Sequence, residues 1–133
     1  MGLKISDIEE LSNYKYLFVP KVNMNAKFLN RQGDPAYKQS FVYILVKCNA
    51  TWPTHDLVGY IGYSSNLTHR FETHNRMVDY DGAYLIPFPR ELYESAYELE
   101  QFLISKYNPY ANLTLTQLEA KFKAGEKILS IVE

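Results

Sequence analysis

Apolar residues in this chain fall in short blocks whose period changes along the sequence. Phe41-Val42-Tyr43-Ile44-Leu45-Val46 is an unbroken apolar run leading into Lys47. Val58-Gly59-Tyr60-Ile61-Gly62 is a second run, and Asn49, Trp52, Pro53 and Asp56 lie between the two. Runs of this length bounded by turn residues predict strands, and the loop over 48–57 makes them a hairpin with a long connection. Ala83-Tyr84-Leu85-Ile86 predicts a third strand after an Asp81-Gly82 turn, ended by Pro87 and Pro89. Tyr14–Val19 offers a further strand, stopped at Pro20.

The period then lengthens. Leu92, Ala96, Leu99, Leu103 and Tyr107 follow a helical rhythm that Asn108-Pro109 closes. Ser64 or Ser65 can cap a helix over about 66–76, with Leu67 and Phe71 as its apolar stripe. Ser6-Asp7-Ile8-Glu9 reads as a capping box opening a short first helix. Thr116-Gln117-Leu118-Glu119 opens a C-terminal helix that should break near Gly125. Residues 20–39 read as loop, with a short turn near Ala26–Leu29. Short strands interleaved with helices predict a small α+β domain.

Length and composition agree with one globular unit: 133 residues with 47% apolar content can bury a modest core. No apolar run approaches the roughly 18 residues of a membrane span. Lys4, Asp7, Glu9 and Glu10 interrupt the first residues, so no secretory signal is expected. Cys48 is the single cysteine, which excludes an intrachain disulfide and a multi-cysteine zinc cage. An intracellular, cytoplasmic setting is the natural expectation.

The net charge of −1 does not advertise a nucleic-acid binder. Its distribution is uneven. Residues 1–40 carry six Lys/Arg against four Asp/Glu, and residues 91–133 carry four against seven. A weakly charged nuclease would grip DNA loosely, because neutralising phosphates supplies most non-specific affinity. Shape recognition, a homodimer or a specificity-giving partner protein would have to make up the difference.

Four residues stand out as carriers of chemistry. Glu100 lies beside the buried stripe formed by Leu99 and Leu103, whereas Glu94 and Glu98 read as solvated surface charges. One carboxylate at the edge of a core suffices for magnesium, whose remaining ligands are waters and phosphate oxygens. Arg70 precedes His74 by one helical turn and could steady charge on a phosphate in flight. Tyr43 and Tyr60 sit on neighbouring strands, and a tyrosine is a poor base near neutral pH unless a cation lowers its pKa of about 10. Tyrosine, arginine and carboxylate converging on one small sheet suggest metal-assisted phosphodiester cleavage.

Phe41-Val42-Tyr43, Tyr60-Ile61-Gly62, then Ser64, Asn66-Leu67, Arg70 and His74, then Glu100 with Leu103-Ile104, then Pro109-Tyr110-Ala111-Asn112 occur in this order. Order and spacing resemble the GIY-YIG nuclease family from about Phe41 to Asn112. The chain departs from the family's pattern at Phe41 (a glycine in the family name), at Val42 (its isoleucine), and at Tyr63, where many members carry lysine. The loop between the two elements is also long and contains Trp52.

The resemblance implies a small three-stranded antiparallel sheet flanked by helices, with a core over 40–113. Residues 1–39 would form an N-terminal extension, and 114–133 a C-terminal helix of the same domain. It implies one divalent metal, Mg2+ or Mn2+, on Glu100. Water helped by Tyr43, favoured as base over Tyr60, would attack a phosphodiester of DNA in line. Arg70 would stabilise the transition state, His74 would assist proton transfer, and Asn112 would orient neighbouring groups. The expectation is therefore a small stand-alone metal-dependent DNA endonuclease with no membrane association. The rival is a catalytically silent form of the same fold, binding nucleic acid or protein.

Overall fold

The computed structural model describes residues 3–24, 39–65, 67, 70, 71, 78–107, 109, 129 and 130. It is an α+β structure built on a four-stranded, wholly antiparallel sheet. The strands are β1 (Leu17–Pro20), β2 (Gln39–Lys47), β3 (Leu57–Ser64) and β5 (Gly82–Pro89), in the spatial order β1-β5-β2-β3. A separate two-residue pair joins β4 (Val78–Asp79) in parallel to β6 (Leu129–Ser130). One helix, α1 (Tyr93–Tyr107), is described over its whole length.

The unbroken apolar run of β2 is explained by its place in the sheet. Phe41, Tyr43 and Leu45 enter one core cluster, while Val42, Ile44 and Val46 enter the other. A strand covered on both faces needs apolar side chains at every position, so its sequence does not alternate. The first cluster, the tyrosine face, adds Tyr60, Leu67, Phe71, Tyr80 and Leu85. The second adds Ile61, Ile86, Phe88 and the buried side of α1, namely Ala96, Leu99 and Leu103.

Four expectations need correction. The sheet has four strands rather than three, because Leu17–Pro20 pairs along β5 from Leu85 to Gly82. Pro87 and Pro89 do not end β5, which runs through both and pairs with Phe41 and Gln39. Among the described residues no strand lies beside β5 on its β1 side beyond Leu85, so an N–H missing toward that side costs no ladder bond. Finally, the first helix is not an α-helix capped by Ser6 but two 3-10 turns, Ile5–Asp7 and Glu9–Asn13. Ile5, Ile8 and Leu11 are buried at intervals of three, the repeat of a 3-10 helix, and Asp7 Oδ2 accepts the Lys4 backbone N–H at 2.9 Å.

Leu92 also falls off the predicted helical face. It ends a 3-10 turn, Arg90–Leu92, and is largely exposed. The expected turn near Ala26–Leu29 and the C-terminal helix from Thr116 lie outside the described residues. So does the 66–76 helix apart from Leu67, Arg70 and Phe71, which are helical. No helix among the described residues is long and apolar enough to cross a membrane.

Candidate active site

The β2–β3 hairpin sets the two tyrosines side by side. Tyr43 lies opposite Gly62, and Tyr60 lies opposite Leu45. Their rings stack with centroids 6.0 Å apart and planes 18° from parallel. Tyr43 is completely buried, whereas Tyr60 is 5% exposed. A hydrogen bond joins the two hydroxyls. Tyr43 can stand there because residue 62 has no side chain. A Cβ on Gly62 would lie 2.8 Å from Tyr43 Cε2 and closer still to Cζ and the hydroxyl oxygen.

Arg70 reaches this pair from the helical residues that follow β3. Leu67 and Phe71, four apart, are both buried in the tyrosine-face core. The Phe71 ring packs 5.1 Å from Tyr43 and 6.1 Å from Tyr80. That anchoring leaves Arg70 half-buried, with its guanidinium donating to the Tyr60 oxygen. Tyr60 is thus hydrogen-bonded to both Tyr43 and Arg70.

Glu100 arrives from the other side of the sheet. Leu99 and Leu103 bury α1 against the second core, which turns Glu100 toward the outer edge of β3. There its carboxylate accepts the Tyr63 backbone N–H, and its Oε1 accepts Gln101 Nε2 at 2.6 Å. β3 is an edge strand, so its outer backbone N–H groups are within reach of a side chain from α1. Its charge is felt at both tyrosines, and that of Arg70 is felt at Glu100.

The electrostatics follow from burial. Loss of water pushes the Glu100 carboxyl above its usual range, against the opposing pull of Gln101, Arg70 and the Tyr63 N–H. Burial also raises both phenols. Tyr43 rises further through Tyr60 and the hydrogen bond they share, while Arg70 and Tyr43 hold Tyr60 back. At neutral pH both are hydrogen-bonding phenols rather than phenolates.

A divalent cation fits this donor set. Glu100 is a carboxylate already stripped of part of its water, and a hard cation would repay that loss. Among the described residues no group of three or more His, Cys, Asp or Glu gathers as a metal cage. One carboxylate nonetheless meets magnesium's needs.

Tyr43, Tyr60, Arg70 and Glu100 are thus brought together, while His74 and Asn112 lie outside the described residues. Phe41 is buried on the tyrosine face, Val42 on the opposite one. Trp52 is 60% exposed, its ring 6.3 Å from that of His55, so it packs into neither core. Pattern reading missed the Tyr63 backbone N–H as a partner of Glu100, since a main-chain donor leaves no mark in a sequence. Compared with known proteins, the chain matches no family model, no curated protein and no solved structure.

Proposed function

We propose that this protein is a divalent-metal-dependent DNA endonuclease of the GIY-YIG type. The observation that carries the reading is the convergence of Tyr43, Tyr60, Arg70 and Glu100 around one end of β3. They come from two strands and two helical segments, and the charge of Glu100 reaches both tyrosines from the edge of β3. In this reading β2, β3 and β5 are the family's three-stranded core, and β1 is an added edge strand. An intracellular, nucleic-acid-associated setting goes with it.

Magnesium or manganese on Glu100 would supply Lewis acidity at a phosphate oxygen. The chain's own residues do the rest. Arg70, half-buried, presents a fixed positive charge where a phosphodiester gains negative charge, and such preorganised donors contribute about 3–4 kcal/mol. Tyr60 is the phenol that meets the substrate. Its hydroxyl is positioned by hydrogen bonds with Tyr43 and Arg70, next to the cation that would meet a phosphate oxygen. Tyr43 is completely buried and hydrogen-bonded to Tyr60, so it would position Tyr60 rather than touch substrate. This assigns the reacting role to the second tyrosine instead of the first.

The near-neutral charge favours the rival, a binding module without catalysis. A cleavage assay decides between them: plasmid, linear and branched DNA, with magnesium or manganese against EDTA, for wild type and Glu100→Ala. Metal-dependent cutting lost in the variant supports the nuclease. Folded protein that cuts none of the three with metal present overturns it.

A further inference from the structure

Beside the site, the end of β3 and the first two turns of α1 enclose a cleft of about 260 Å³ lined by Tyr63, Tyr93, Glu94, Tyr97 and Glu98. Helical spacing builds it. Tyr93 and Tyr97 are four apart, as are Glu94 and Glu98, so an aromatic stripe and a carboxylate stripe run in parallel. Tyr63 closes the far wall, its ring edge-on to Tyr97 at 6.1 Å and 89°. Tyr93 and Tyr97 are each 52% exposed, which is unusual for side chains with so much apolar surface to hide.

We infer that this cleft receives a cationic side chain, arginine or lysine, from a basic segment of a partner protein. Two independent features select that occupant. Tyrosine faces attract cations through the ring quadrupole. The remaining lining groups are carboxylates, and among the described residues no lining residue is basic. A phosphate would meet only repulsion, so a nucleotide is disfavoured on charge. The volume lies below the roughly 300–1,000 Å³ of clefts for drug-sized ligands, which suits one side chain rather than a cofactor. An occupied cleft would also bring a basic segment beside Tyr63, whose N–H holds Glu100. The inference does not rest on the nuclease reading.

The test is an amide chemical-shift titration of the metal-free, full chain with acetyl-Gly-Arg-Gly-Arg-Gly-amide. The same peptide with citrulline for arginine keeps the shape and removes the charge. Saturable shifts centred on Tyr63, Tyr93 and Tyr97 with the arginine peptide, and none with citrulline, are expected. Glu98→Gln should weaken binding by about three- to tenfold and Tyr97→Leu by a similar factor, while Tyr97→Phe retains it. Both positions are exposed, so folding is not at stake. Three results would overturn the inference: no saturable shift, equal shifts with citrulline, or shifts elicited by adenosine or cytidine monophosphate that Glu98→Gln strengthens. The last would mark a base-stacking site instead.

Discussion

Gly62 faces Tyr43 directly across the β2–β3 ladder, and the tyrosine ring fills the space in which a side chain at 62 would stand. The glycine therefore serves the position of Tyr43, and through it the hydrogen bond that orients Tyr60.

Gly62→Ala should destabilise the protein by about 1–3 kcal/mol, the usual cost of forcing extra volume into a packed core. Combining it with Tyr43→Leu should give a double variant less destabilised than the sum of the two, since the smaller side chain makes room. Urea midpoints of the four proteins measure this. Strict additivity would mean that the ring and the glycine do not compete.

The two tyrosines should differ in catalysis. Tyr60→Phe removes the hydroxyl assigned to the substrate and should lower metal-dependent cleavage by about 100-fold or more. Tyr43→Phe removes one hydrogen bond to Tyr60, worth about 1 kcal/mol, and should cost tenfold or less. Single-turnover cleavage rates compare them. A larger loss for Tyr43→Phe would restore the first tyrosine to the reacting role.

Glu10 and Glu100 should shift stability in opposite directions with pH. Glu10 is held below the usual carboxylate range by Lys106, 2.6 Å away, and by the Tyr107 hydroxyl. Its contribution is full above the unfolded value of about 4.3 and is lost as pH falls through the lowered folded value. Glu100 is raised by burial, so its charged form opposes folding. That cost is absent below the unfolded value and develops as pH rises through the folded one. Glu100→Gln should therefore be more stable than wild type at pH 7, and Glu10→Gln less stable. Both differences should shrink toward pH 4. Denaturation midpoints at the two pH values give the signs.

Tyr84 donates to Asp56 Oδ2 at 3.1 Å, in a buried pairing that also draws the Asn49 backbone N–H to Asp56 Oδ1 at 2.7 Å. The Asp56 carbonyl accepts the Ile5 N–H at 2.8 Å, so the same residue ties the first 3-10 turn to the start of β3. Tyr84→Phe should cost about 1.5–3 kcal/mol, the range for a hydrogen bond to a charged group. Thermal unfolding measures the loss.

Much of the frame was legible in the chain. β2 and β3 announce themselves as apolar runs between turn residues, and α1 announces itself by period, because burial imposes one pattern per face. The spacing of Tyr43, Tyr60, Arg70 and Glu100 was likewise visible in sequence. Other features depended on neighbours that sequence order does not specify. Pro87 and Pro89 are tolerated because β1 stops opposite Leu85. Leu17–Pro20 becomes a strand because β5 offers it an edge. Three-residue spacing turns the first segment into 3-10 turns once Ile5, Ile8 and Leu11 find the core.

The roles within the site divide in the same way. Residue types and their order came from the sequence, since local pattern depends only on which side chains follow one another. Which tyrosine is completely buried, which one Arg70 bonds, and that Glu100 takes the Tyr63 N–H were decided by tertiary packing. Burial and hydrogen-bond partners are properties of what surrounds a group in space, and Tyr43 and Tyr60 differ there although they are chemically identical.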